Sequence, residues 1–482
     1  LLVCCTVYVK FVLTEDLGSH LGLHINLSKC EMFSKNGNSH FPDTVKSSIL
    51  PHLEILGSPI GDFIYCSRFF AEKCSLFRAL LRALTDVSAV DLHVAISLLH
   101  ICGGYCKFVH LARTTPTSLC SDSLKLFDEE MRVCFSSCLA VDVPDTQWHQ
   151  AQLCPKLGGL GLRSLSLHSC AAFISSLAAS DLGSPDNVHL QQAVSHFNAL
   201  VSPQDSLTVE AVLNTPPQQK ALSFKLDTHM FQALVSSASP ANKARILSVS
   251  APHASSWVSA IPSVGLNMHL DTEECQVAIR WWLGLNTSTA SSCPFCPGAV
   301  LDPLGHHATS CRHGGDVVTR HNHLRDTFAE LCHRAHLPVR VEVGYGLSGD
   351  HVNTRPADVL VQGWDRGKPA AFDITVTSPL TPATLRDAST SSGAAAHAAE
   401  CRKHSTNDAR CQELGWVCIP LAVETFGHWG KEAQIVFSRL ASLLSIHQGR
   451  PKSVALFDIY SRMNMCLVRS VSRAIMGRVV VL

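Results

Sequence analysis

CPFCPGAVLDPLGHHATSC (293–311) is followed closely by VRVEVG (339–344), RPADVLV (355–361) and AAFDITV (370–376). The first stretch has metal-site spacing. Cys293 and Cys296 are separated by two residues, which lets one tight turn present two thiolates to a tetrahedral ion. Cys311 supplies a third sulfur, and His307 or His306 the nitrogen. His307 is preferred because it gives C-x2-C-x10-H-x3-C; His306 shortens one gap, lengthens the other, and stays sterically open. Pro294, Pro297 and Gly305 suit a small loop with no core of its own until an ion closes it. A structural Zn²⁺ is therefore expected on Cys293, Cys296, His307 and Cys311. The competing reading is a chance cluster in a chain with 21 cysteines and 26 histidines. His313, His321 and His323 read as surface or helix residues.

The stretches that follow are acidic residues set in apolar strands. RHNHLRDTFAELCHRA (320–335) spaces apolar residues as a helix, and VRVEVG, ADVLVQGW and AAFDITVTS read as strands. DRGK (365–368) predicts a hairpin that sets Asp358 and Asp373 side by side. An Ala-rich helix (393–415) carries Arg402 and Lys403, and WVCIPLAVE (416–424) returns as a strand. Two neighbouring carboxylates can hold Mg²⁺ against a phosphate, with Glu342 as a third oxygen donor and Lys403 as the positive charge. Taken singly, each acid is a strand-end or turn carboxylate. An unpaired charge inside AAFDITV is expensive, however, and that favours a site.

Outward from this core, composition sets limits. With 482 residues, 46% hydrophobic and 16% charged, the chain is long enough for several cores and carries little sign of disorder. Its formal net charge is zero, so any polyanion partner must be met by local patches. The scattered, odd number of cysteines reads as buried reduced thiols of an intracellular protein. LLVCCTVYVKFVL (1–13) reads as a buried strand of a truncated chain, being too short to span a bilayer and interrupted by Lys10. No other stretch reads as a membrane span. Residues 65–140 have helical spacing, broken near Pro116. GGLGLRS (158–164) offers two readings, a phosphate cradle at a helix start or a packed turn, and the packed turn is favoured. Trp281 and Trp282 could stack bases, though core packing is the better reading.

GLHINLSKCE (22–31) with LGSPIG (56–61) resembles the later palm motifs of reverse transcriptases from non-LTR (LINE-type) retrotransposons. The knuckle, the RHNHLRD helix and the RPAD…FDITV…RK series are similar to the zinc knuckle and restriction-like endonuclease that close the polyprotein in one branch of that family. The resemblance implies an endonuclease that nicks chromosomal DNA, whose freed 3′ end primes copying of the element RNA. It implies Asp358 and Asp373 as the metal-binding acids and a nuclear setting, with no membrane partner. Two departures from the P-D…(D/E)-x-K pattern stand out. Ala357 separates Pro356 from Asp358, and Thr375 holds the usual Lys position, which by resemblance moves that role to Lys403. The polymerase aspartates would precede GLHINLSKCE, so polymerase inactivity is expected.

The expected fold class is multidomain α/β. It comprises a truncated polymerase palm edge (1–64), a helical thumb (65–180), a helical linker (181–285), a small zinc knuckle (286–316), a restriction-endonuclease-like α/β core (317–446) and a helical tail (447–482). The alternative function is a non-catalytic nucleic-acid-binding remnant; a purely structural zinc protein is the third reading.

Overall fold

The computed structural model describes residues 52–180, 184–343, 357–364 and 366–478, together with 20, 22, 32–33 and 49–50. LHINLSKCE (23–31), Arg355 and Pro356 lie outside the described residues. The protein is mixed α/β and mostly helical, with small sheets. It packs as two compact units that interleave along the chain: Leu1–Leu81, Tyr105–Met131 and Ser164–Leu226 form the first, and Arg82–Gly104, Arg132–Arg163 and Asp227–Leu482 the second.

In chain order the elements begin with β1 (Met32–Phe33), β2 (Ile49–Leu50), β3 (Leu53–Ile55) and β4 (Ser58–Ile60). LEILGSPIG is thus a hairpin, with Leu56 and Gly57 at φ 50° and 80° in the two-residue turn. Then come α1 (Phe63–Val90), α2 (Leu92–Ile101), α3 (Val109–Thr114), α4 (Ser121–Leu139), α5 (Asp145–Gln152) and α6 (Leu165–Ala178). Leu92–Thr114 is apolar and long enough to cross a membrane by composition, contrary to expectation. Half of it is buried inside the fold, and its helix is interrupted after Ile101. The helices α7 (Val188–Ala199), α8 (Val209–Asn214), α9 (Gln219–Ser237), α10 (Pro240–Val249) and α11 (Thr272–Leu283) follow.

The core of the first unit is Phe173, Ile174, Leu190, Phe197, Val212, Leu222 and their neighbours. Here Ser164 caps α6, and the Asp128 carboxylate accepts from the Leu165 and Ser166 amides at 2.6 and 3.1 Å. A side-chain anion already occupies the helix start where a phosphate would bind. The preceding glycines are packed: a Cβ on Gly159 would overlap the Leu153 carbonyl. GGLGLRS is a packed turn.

The second unit continues with β5 (Ser291–Ser292), β6 (Val300–Leu301), α12 (His306–Ser310), α13 (Asp316–Arg334), β7 (Val339–Val343), β8 (Ala357–Gly363), β9 (Gly367–Thr377), α14 (Leu385–Ala388), α15 (Ala394–Glu413), β10 (Val417–Glu424), α16 (Lys431–Gln448) and α17 (Lys452–Met476). Its main sheet has the order β10-β9-β8-β7. β7, β8 and β9 are antiparallel; β10 runs parallel to β9, joined through α15. β8 and β9 carry buried apolar runs, as strands covered on both faces do. Trp281 and Trp282 are core residues: Trp281 stacks on Phe426 at 4.4 Å, and Trp282 packs edge-on to Trp257. The sequence therefore placed the sheet's strands and its connecting helix correctly.

Candidate metal centre and acidic site

The knuckle is built by two short strands and one short helix. Cys293 donates its amide to Ala299 O at 2.8 Å, which closes the CPFC turn. Asp302 accepts from the amides of His306 and His307 at 3.0 and 2.7 Å and so starts α12. This fixes the choice between the two histidines. One ligand atom each from Cys293, Cys296, His307 and Cys311 lies within 4.8 Å of the others, with Cys296 Sγ and Cys311 Sγ 3.2 Å apart. His306 instead meets the edge of Trp281, and burial pushes its imidazole down.

The donor set fits a zinc-like ion. The buried His307 Nε2 has no hydrogen-bond partner, and three sulfurs crowd one another. Burial works to raise the Cys293 thiol, but the effects led by its hydrogen bond with the Phe295 backbone hold it below its ordinary value. Cys296 is pushed up to about 12, first by its bond with Cys311. Two neighbouring thiolates resist a third until a cation joins them. The Cys₃His group can thus hold a metal such as zinc. Among the described residues no cysteine is in a disulfide, and most are buried.

The acidic site grows from the β8–β9 hairpin. Val359 pairs with Phe372, so the next step sets Asp358 opposite Asp373. Asp358 Oδ2 accepts from the Ile374 amide at 2.7 Å, and the charge of Asp358 acts on Asp373 across the strand pair. α15 lies over this sheet face. It brings Lys403 Nζ to 2.8 Å from Asp373 Oδ1 and Asn407 Nδ2 to 2.7 Å from Oδ2. Lys403 and Asn407 are four apart, hence on one face of the helix. His321, from α13, stands 3.3 Å from Asp358 Oδ1.

The environments of the two acids diverge. Burial would raise both. At Asp358 the His321 hydrogen bond leads the opposing effects and holds the carboxyl below the usual range. At Asp373 burial prevails over Lys403, with Asp358 adding to the rise. His321 is raised, chiefly by its bond to Asp358. Two neighbouring carboxylates resist ionising together unless a cation joins them.

The structure brings Asp358, Asp373 and Lys403 together. Glu342, on an exposed stretch of β7, is ion-paired with Arg325 of α13, and the β7–β8 register, with Val341 opposite Val359 and Val343 opposite Ala357, sets it across from Asp358. Arg402, next to Lys403, is exposed. Sequence reasoning missed His321, Arg325 and Asn407. Only Asn407 carried a signal, its spacing of four from Lys403. Compared with protein-family models and with curated proteins, the chain matches none.

Proposed function

We propose that this chain is a metal-dependent DNA endonuclease related to the closing segment of non-LTR retrotransposon polyproteins, with the restriction-like core around the β7–β10 sheet. One observation carries this reading: a buried carboxyl, Asp373, set opposite the half-buried Asp358 on the adjacent strand, with a lysine ammonium 2.8 Å from it. Few structural roles require that arrangement in an apolar strand.

Asp358 and Asp373 would hold Mg²⁺, their hard oxygens being the donors that ion selects. When bound, the ion neutralises phosphate charge and makes hydroxide available from water near neutral pH. Lys403 sits where it can balance charge on the phosphate as the bond to the leaving oxygen breaks. Asn407 fixes the rotamer of Asp373, and His321 that of Asp358. Glu342 would join only after leaving Arg325.

A basic surface supports a polyanionic partner. The cleft lined by Arg334, Arg462 and Arg469 belongs to a group in which Arg334, Arg450 and Arg462 share Asp458, and Arg469 and Arg473 share Glu274. Asp271, Asp326 and the lining Glu330 stand near the same arginines, so the local excess is that of the three arginines around Asp458. On this reading the nicked strand would prime copying of element RNA in the nucleus. The hairpin of LGSPIG and the helices after it would be the palm edge and thumb.

The non-catalytic alternative draws on a different fact: both Asp373 oxygens already have protein partners. A supercoiled-plasmid nicking assay separates the two. Wild-type protein with Mg²⁺ should convert circles to the nicked form; Asp373→Ala and Asp358→Asn should fall to background, and Lys403→Met should lose about 100-fold or more. Equal nicking by wild type and Asp373→Ala, or none by wild type, overturns the proposal.

A further inference from the structure

We propose that His404, Asp408 and Cys418 form a second metal site, separate from the Cys₃His group and suited to a zinc-like divalent ion. One ligand atom from each lies within 4.8 Å of the others. α15 sets His404 and Asp408 four residues apart on one face. Cys418 comes from β10, opposite Ala371 and two residues before Pro420, which pairs with Asp373. It therefore lies on the sheet face that α15 covers.

The histidine is held as metal-binding histidines are. Its Nδ1 is 2.8 Å from Asp408 Oδ1, and its Nε2 is 2.6 Å from Glu432 Oε1 on the first turn of α16. Glu432 lies outside the three-ligand cluster, so it is placed to accept the Nε2 proton while Nδ1 turns its lone pair toward Asp408 and Cys418. An outer carboxylate of this kind fixes the tautomer and strengthens the nitrogen as a donor. Cys411, one turn beyond Asp408, packs with Cys418 in a small apolar cluster on the helix side. Nitrogen, carboxylate and sulfur together select a borderline ion such as Zn²⁺ over Mg²⁺ or Ca²⁺. An imidazolium clamped by two carboxylates would explain His404, Asp408 and Glu432, but it gives the Cys418 sulfur no place in the cluster.

Such an ion would tie the second half of α15 to β10, with α16 braced through Glu432. Lys403 and Asn407, which hold Asp373, belong to the same helix. The site is therefore a clamp on that helix, and it stands whether or not the acidic site cuts DNA.

The test uses the full chain, stripped by chelator and reloaded with Zn²⁺ or Co²⁺ alone, with metal counted by mass spectrometry. Wild type should hold about two ions per chain, and His404→Gln and Cys418→Ser about one. Cys293→Ser, which opens the knuckle, should also hold one and keep a cobalt–thiolate absorption that disappears when Cys418→Ser is added. His404 is a third exposed, so His404→Gln keeps the test valid if the buried Cys418→Ser does not fold. Wild type holding one ion or fewer, or His404→Gln leaving the count unchanged, overturns the proposal.

Discussion

Asp373 is 6% exposed within an apolar strand, and its neighbours show how such a carboxyl is tolerated. Lys403 and Asn407 provide a cation and a donor, one to each oxygen. Removing the carboxyl leaves a lysine that is 35% exposed and can turn to water. Asp373→Ala should therefore change stability by only about 1–2 kcal/mol in urea unfolding, even as nicking disappears. Across the site, the Asp358–His321 pair should make stability depend on pH. Asp358 is held below its ordinary 3.8, so its contribution is present above that value and fades as pH falls through the lowered one. His321 is held above 6.5, so its contribution is complete below 6.5 and fades as pH rises through the higher one. The pair stabilises most between those limits. Because His321 is 32% exposed and Asp358 20%, the effect is discounted to about 0.5–1 kcal/mol. Thermal melts at rising alkaline pH should show wild type losing that increment and His321→Gln not losing it; parallel curves would remove the pair's role.

The elements were legible where periodicity was strong. VRVEV, ADVLVQG and AAFDITV became β7, β8 and β9, because alternation and apolar runs admit few other structures. Spacing also identified the knuckle ligands, but the choice of His307 over His306 needed the Asp302 cap and the Trp281 edge, both non-local. His321 was illegible for the same reason: its partner Asp358 lies on another element, and nothing in RHNHLRD encodes the pairing. GGLGLRS makes the limit plain. Its glycines suggest a phosphate loop or a tight turn equally well, and only Asp128 at the helix start decides. Gly159→Ala should cost about 3 kcal/mol or more, measured as a fall in the unfolding midpoint, since the new Cβ meets backbone and not a movable side chain. The knuckle should respond to metal in the same assay. Chelation should release its ion and lower the melting temperature, and Cys311→Ser should reproduce the loss; a melt indifferent to chelator would leave the four ligands as mere neighbours.

At the scale of the molecule, neutrality decides how any DNA contact must behave. With 39 basic and 39 acidic residues, attraction is confined to local groups such as the arginines around Asp458. Binding measured against salt should give a shallow slope, about 0.9 per phosphate neutralised, corresponding to a few contacts only. A slope near ten would contradict a contact confined to such groups. The interleaving of the two units was invisible in the sequence, since helical spacing continues through Leu81 and Arg82, where one gives way to the other. The outer strand β7 has a further consequence. Among the described residues it borders the sheet, with exposed Val341 beside Arg340 and Glu342. A flat border of this kind invites a strand from another copy and so the growth of insoluble aggregates. Glu342 bends the border: its φ of 52° breaks the regular row of amides, and its charge, tied to Arg325, discourages an apolar neighbour. Whatever its part in cutting, this acid would thus keep that border from pairing.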